Sequence, residues 1–118
     1  MEKTIILGNK KVKLVSSGAS PIIYKANFQS DFFQDLGIIL ELAGIATSDK
    51  SEIEIMTEVM GNNRIRIFQQ FAWTYAKNAN QAILTLDEWL AEFEEFPIFD
   101  ILSEVIELVV TSLSTKKA

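Results

Sequence analysis

The side chains that could carry out acid–base or metal chemistry in this protein are carboxylates. The chain has 16 aspartates and glutamates, and eight of them lie in one stretch. The stretch runs from Asn78 to Thr115 and contains no lysine or arginine. Two carboxylates can act as general acid and general base when one lies in an apolar pocket that raises its pKa. Nothing in the sequence places one there, and charged runs on helices are usually exposed. We therefore interpret the stretch as an acidic surface and expect no catalytic residues. Its acids are Asp87, Glu88, Glu92, Glu94, Glu95, Asp100, Glu104 and Glu107.

The absence of cysteine and histidine removes most other site chemistry. The chain therefore has no Cys/His zinc site, no thiol nucleophile and no imidazole base. A metal site made of carboxylates alone would usually include a Glu-x-x-His pattern or a calcium loop with a glycine hinge, and neither occurs. The run Gly8-Asn9-Lys10-Lys11 lacks the second glycine and the Lys-Ser/Thr pair of a phosphate loop. We expect no metal, no cofactor and no enzymatic activity.

Length and composition predict one soluble globular domain. The chain has 118 residues, of which 48% are hydrophobic and 23% charged, as in ordinary globular proteins. Its formal net charge of −5 disfavours binding to nucleic acid or to an anionic membrane, because both depend on lysine and arginine. No apolar stretch approaches the roughly 18 residues of a membrane span. The apolar run at the N-terminus is too short for a signal peptide, so we expect a cytoplasmic protein.

Local patterns predict an α+β fold, a mainly helical single domain with a small N-terminal β-hairpin. Two β-prone runs, Thr4–Leu7 and Val12–Val15, flank a turn at Gly8-Asn9. We therefore divide the chain into a β-hairpin in residues 1–15, a helical body in residues 20–113 and a frayed basic tail in residues 114–118.

Capping and stop signals divide the helical body. Ser20 is expected to cap the first helix, Ser30 to cap the second, with Asp31 in its first turn, and Gly44 to end it. The helix from Asn63 is apolar around most of its circumference, which predicts the central, most buried helix. The second helix is expected to have one apolar side, formed by Phe32, Phe33, Leu36, Ile39, Leu40 and Ala43. The predicted helices are Pro21–Asn27, Asp31–Ala43, Glu52–Met60, Asn63–Asn78, one from Thr85 to Pro97, and Ile98–Leu113.

The acidic stretch is predicted to be folded. Thr85 and Glu88 have the spacing of a capping box, in which each side chain bonds the other residue's backbone N–H. Apolar residues follow at helical spacing, which leaves the acids on the other side. The aromatic residues are expected mainly to pack in the core. Because aromatic residues dominate interface energetics, Trp89 and Phe96 are also candidate anchors for another chain. The candidate partner-binding residues are Asp87, Glu88, Trp89, Glu92, Glu94, Glu95 and Phe96.

Charge is distributed unevenly along the chain. The first 25 residues carry five lysines and only Glu2 as an acid, whereas the acidic stretch lies near the other end. The basic hairpin of one copy could therefore dock on the acidic helices of another copy and form a head-to-tail homo-oligomer.

The order of these segments resembles that of the tail assembly chaperones of long-tailed phages and prophages of Gram-positive bacteria. The resemblance covers nearly the whole chain and rests on order and composition. The segments that carry it are Thr4–Leu14, Tyr24–Phe28, Asp31–Leu36, Phe71–Ala79, Asp87–Phe93 and a hydrophobic last helix that ends in lysines.

The resemblance implies a non-enzymatic chaperone. Such proteins bind the tape measure protein, keep its long hydrophobic helix soluble and help recruit tail tube subunits. They act in the cytoplasm of the bacterial host and are absent from the mature virion. The resemblance supplies no residue-level binding motif. The alternative from the residues alone is an acidic inhibitor or DNA mimic that occupies a nucleic-acid-binding protein.

Overall fold

The fold, obtained as a computed structural model, is α+β, as the sequence predicts. The structure describes residues 1–46, 51, 54, 64–93 and 98–113. A two-stranded antiparallel sheet is followed, within this part of the chain, by five helices. The elements are β1 (Glu2–Leu7), β2 (Lys10–Val15), α1 (Ser20–Phe28), α2 (Phe32–Ala46), α3 (Arg64–Ala79), α4 (Leu86–Leu90) and α5 (Ile98–Leu113).

The β-hairpin is confirmed, and its strands are longer than predicted. Leu7 pairs with Lys10, so the turn has two residues, Gly8 and Asn9. Gly8 has φ +65 whereas Asn9 does not have positive φ, which is the pattern of a type II′ turn. Alternation along the strands buries Ile5, Leu7 and Leu14 on the inner face.

Both strands of the hairpin pack against helices. The Asn78 side chain at the end of α3 donates from Nδ2 to the Val15 carbonyl and to Ser20 Oγ, both at 2.9 Å. On the other side, Lys3 Nζ lies 2.8 Å from Glu107 Oε2 on α5. The hairpin is therefore part of the core, and each strand is attached to a helix distant from it in sequence.

The capping predictions for α1 and α2 were wrong. Ser20 lies inside α1, and its hydroxyl accepts from the Ser17 N–H and from Asn78 instead of from the helix start. At α2 the capping acceptor is Asp31, whose Oδ2 takes the Gln34 N–H at 2.9 Å. Ser30, the predicted cap, donates to Asp35 instead. Neither serine hydroxyl caps its helix, because Ser20 accepts from Asn78, which is distant in sequence, and Ser30 donates to the side chain of Asp35.

A buried hydrogen-bonded cluster joins α1, α2 and α3. The Tyr24 hydroxyl donates to Asp35 Oδ2 at 2.6 Å and lies 2.9 Å from Gln70 Oε1. Ser30 Oγ donates to the same carboxylate oxygen at 2.7 Å. Burial, together with the hydrogen bond and charge of Asp35, raises the pKa of the Tyr24 hydroxyl far above its usual value near 10. The cluster satisfies a buried carboxylate without a cation.

The prediction that α3 is the central helix is confirmed. From Ile67 to Ala76 its side chains are almost all buried, on every side of the helix. Phe71 lies at the centre, with its ring centroid 4.9 Å from that of Tyr24 and 4.8 Å from that of Phe32. The hairpin, α1, α2, α4 and α5 all pack around this helix.

The structure corrects α2 in two respects. Gly44 does not end it, because the helix continues to Ala46. Its predicted apolar side is also divided: Phe32, Leu36 and Ile39 are buried, but Phe33 and Leu40 are exposed. Six apolar residues were predicted to form one core-facing side. Of the five whose side chains the structure describes, the core covers three.

Some predictions fall outside the described residues. They are most of the helix Glu52–Met60, the helix end at Pro97 and the tail 114–118.

Candidate partner-binding surface

The acidic helix α4 is held on the body of the protein through the segment before it. In residues 80–83 the Ile83 N–H bonds the Asn80 carbonyl at 3.2 Å, which forms a turn after α3. Trp73 on α3 then donates from Nε1 to the Leu84 carbonyl at 2.8 Å. A buried side chain of the central helix therefore fixes the position at which α4 begins.

The start of α4 differs from the predicted capping box. Thr85 does precede the helix, with extended backbone, and the Trp89 N–H bonds its carbonyl at 2.7 Å. Its hydroxyl, however, donates to Glu88 Oε1 at 2.9 Å and does not accept a backbone N–H. The two capping-box side chains therefore bond each other, and α4 is only one turn and a half long.

Trp89 is a core residue, as the core-packing interpretation of the aromatic residues predicts, and the alternative of an exposed anchor at this position was wrong. The side chain is 4% exposed, and its ring meets that of Phe93 edge to face, with centroids 5.2 Å apart. Leu86 is buried beside it. These residues attach α4 to the protein, because a five-residue helix has no independent stability.

Three of the predicted acidic contact residues are exposed to solvent. Asp87, Glu88 and Glu92 lie on the outer side of α4 and the turn after it. The predicted contacts Glu94, Glu95 and Phe96 lie outside the described residues.

A cleft separates α4 from the hairpin. Its volume is about 410 Å³, within the range of ligand-binding pockets. Its lining includes the apolar residues Trp89, Phe93 and Ile83. The cations Lys10, Lys11 and Lys13 line it as well. Lys10 Nζ lies 5.7 Å from the centre of the Phe93 ring, a cation–π distance. We refer to this space as the hairpin cleft.

A second cleft, of about 320 Å³, lies on the other side of the segment before α4. It is lined by Phe28 and Trp73, by the cations Arg66 and Lys77, and by Asp87. Leu84, 44% exposed, lines both clefts. The segment 83–87 is therefore a ridge between two grooves, each with apolar and basic residues.

Part of the charge separation along the sequence is removed in space. Glu92 lines the hairpin cleft with three lysines, Asp87 lines the second cleft with Arg66 and Lys77, and Glu107 pairs with Lys3. Sequence reasoning missed these cations as site residues. The one signal for Lys10 was its register, since alternation in β2 puts it on the same face as Leu14.

Within the described ranges, no group of three acidic side chains is arranged to hold a metal ion. None of the helices in those ranges is long and apolar enough to cross a membrane.

Comparisons of the chain with models of protein families, with curated proteins and with solved structures give no match.

Proposed function

We propose that this protein is a non-enzymatic tail assembly chaperone of a long-tailed phage or prophage. It binds the tape measure protein, keeps it soluble and helps recruit tail tube subunits. The proposal starts from the resemblance of nearly the whole sequence to the tail assembly chaperones. The observation that supports it is the ridge at 83–87 and the exposed carboxylates on and after it, which stand beside two open clefts lined in part by apolar residues.

The surface has the chemistry needed to mask an amphipathic helix. Apolar residues of the partner would contact Leu84 and Phe93, while its basic residues would meet Asp87, Glu88 and Glu92. Charges at the edge of such an interface mainly select the partner and accelerate association. The same carboxylates keep the complex in solution, because added acidic residues favour solubility.

The arrangement of charges weakens the alternative of a DNA mimic. Such a protein presents carboxylates in place of phosphates along one surface, without intervening cations. Here Lys10, Lys11 and Lys13 line the same cleft as Glu92, and Arg66 and Lys77 line the same cleft as Asp87. A nucleic-acid-binding protein would be repelled by these cations.

Charge reversal at the exposed acids of α4 and of the turn after it is expected to weaken tape measure binding. The variant Asp87→Lys/Glu88→Lys/Glu92→Lys should lower the affinity by about tenfold or more, since it replaces three attractive contacts with repulsive ones. All three side chains are exposed, so the fold should be retained. The measurement is co-expression with the tape measure protein from the same phage genome, followed by quantification of its soluble fraction and of the captured complex.

The matched control is Glu2→Lys/Glu54→Lys/Glu104→Lys, which changes the net charge equally at acids outside α4. It should retain capture. Equal capture by both triple variants, each with a native circular dichroism spectrum, would show that these three acids are not part of the binding surface. A wild-type protein that neither binds the tape measure protein nor increases its solubility would refute the proposed function itself.

A further inference from the structure

The outer edge of β2 carries backbone groups that the hairpin itself does not use. In an antiparallel pair of strands, hydrogen-bonded residue pairs alternate with pairs whose N–H and C=O groups point away from the neighbouring strand. The Ser16 N–H bonds the Met1 carbonyl at 3.0 Å, so every second pair from there toward the turn is a hydrogen-bonded one. Lys11 and Lys13 fall between those pairs, and their N–H and C=O groups therefore point away from β1.

These outward groups lie along the hairpin cleft. Its lining includes four consecutive residues of β2, 10–13. Because successive side chains of a strand lie on opposite faces of the sheet, a cleft that touches all four residues runs along the edge of the strand. Farther along the same edge, the outward carbonyl of Val15 accepts from Asn78 Nδ2 at 2.9 Å. Helix α3 therefore closes one end of this edge, and the cleft opens beside the rest of it.

The edge beside the cleft is not paired by the described part of the chain. There, the backbone groups of Lys11 and Lys13 make no hydrogen bond to another element. Each residue can donate one hydrogen bond and accept one in that direction. Three alanines that also line the cleft, Ala76, Ala79 and Ala82, have side chains short enough to leave space next to the strand. An unpaired edge of this kind is a template for another strand.

We propose that the hairpin cleft binds an extended, acidic segment of another protein, which adds to the sheet as a third strand beside β2. Side chains directly opposite each other in neighbouring strands lie on the same face. The residues opposite Lys11 and Lys13 then lie beside those two lysines on the outer face. The residue opposite Val12 lies on the inner face, toward the apolar lining of the cleft. The segment should therefore alternate acidic and apolar residues over about five positions.

The inner face of the cleft is suited to an apolar side chain. Val12 is half-buried and shares this face with Ile5 and Leu14, which are buried. Lys10 lies on the same face, and its Nζ is 5.7 Å from the centre of the Phe93 ring. The ring of Phe93 is therefore on the inner side of the edge, where every second residue of an added strand would contact it.

Charge selects the partner. The lysines of the lining, Lys10, Lys11 and Lys13, outnumber its acid, Glu92. Lysines on an edge strand prevent pairing with strands of the same charge. The β2 strand of a second copy would place lysine against lysine, which is destabilising, whereas an acidic strand gains opposite-charge pairs. This inference does not depend on the proposed function, because it uses the backbone and the lysines of β2.

A short peptide tests the proposal on the whole chain. The probe is Val-Glu-Val-Glu-Val, acetylated and amidated, added to protein labelled with ¹⁵N. The amide signals of Lys11 and Lys13 should shift, and their hydrogen exchange should slow, with a dissociation constant of about 1 mM or lower. Lys11→Glu should weaken binding roughly three- to tenfold, because it reverses one cross-strand charge pair. Lys25→Glu, at an exposed position of α1 outside the cleft, is the matched control and should retain binding.

Methylation of the peptide nitrogens separates strand pairing from attraction between charges. In the added strand the N–H groups of the two glutamates face β2, whereas that of the central valine faces away. Methylation of both glutamate nitrogens should raise the dissociation constant at least about tenfold, and methylation of the central valine nitrogen should leave it nearly unchanged. Equal affinities of the two methylated peptides would overturn the strand addition.

Two further results would also overturn the proposal. One is the absence of any change at the Lys11 and Lys13 amides with the unmethylated peptide at about 5 mM, well above the expected dissociation constant. The other is a change at the same amides when the protein alone is concentrated, since it would make a second copy of the chain the occupant of the edge.

Discussion

Phe71→Ala is expected to lower the free energy of unfolding by about 3–5 kcal/mol, the usual range for a buried phenylalanine. Phe71 is fully buried in the central helix, and its ring contacts those of Tyr24, Phe32 and Tyr75. Truncation loses these contacts and leaves a cavity that three surrounding elements cannot close without moving. For a chain of this length the melting temperature should fall by roughly 10–20 °C. Urea denaturation followed by circular dichroism measures the change.

Phe33→Ala is the matched control. It removes the same side chain from a neighbouring helix at a position that is 57% exposed, so it should cost less than about 1 kcal/mol. Both variants should be measured at the same low protein concentration. Similar losses for the two substitutions would show that the division of α2 and α3 into core and surface is wrong.

Tyr24→Phe is expected to destabilise the protein by about 1.5–3 kcal/mol at neutral pH, the range for a hydrogen bond to a charged group. The substitution keeps the ring, which contacts Phe28, Phe32 and Phe71, and removes only the hydroxyl. The buried carboxylate of Asp35 then loses its 2.6 Å donor and retains Ser30. Equilibrium denaturation gives the difference in the free energy of unfolding.

The cost of Tyr24→Phe should shrink at high pH. In the unfolded chain Tyr24 ionises with a pKa near 10, whereas in the folded protein its pKa is raised and the proton is kept. The stabilisation is therefore complete below pH 10 and is lost above it, by up to about 1.4 kcal/mol per pH unit. The phenylalanine variant has no such titration, and other alkaline groups affect both proteins equally. A difference between the two that is constant from pH 8 to pH 11 would contradict the assignment.

Ser30→Ala provides a second check on the same cluster. Ser30 donates to the same oxygen of Asp35 as Tyr24 does. The double variant should therefore lose more stability than the sum of the two single variants, because it leaves that oxygen with neither donor. Strict additivity would mean that the two hydroxyls act independently.

The position of the charges bears directly on how a partner is selected. Along the chain, acids and lysines are far apart, which suggested an acidic surface and a separate basic one. In space the lysines of β2 line the hairpin cleft together with Glu92, which follows α4. A partner that entered the cleft would meet both signs of charge, which favours an amphipathic segment with mixed charges over a purely basic one.

The sequence alone determined the elements that local chemistry controls. The hairpin follows from a two-residue turn with glycine at the position of positive φ, between strands of high β-propensity. The central helix follows from apolar residues around its circumference, since such a helix can be stable only when other elements cover it on all sides. These features depend on neighbours within a few residues, so a pattern in the chain is sufficient to predict them.

Only the tertiary structure decided which apolar and polar groups meet. Phe32 and Phe33 are adjacent on the same helix, yet one is buried and the other is exposed, because the elements packed on α2 cover less than its apolar side. Trp89 is buried because Trp73 fixes the segment before α4 against α3. Ser20 bonds Asn78, far along the chain, instead of its own helix. Burial and hydrogen bonding at these positions depend on contacts between segments distant in sequence, and no local pattern contains that information.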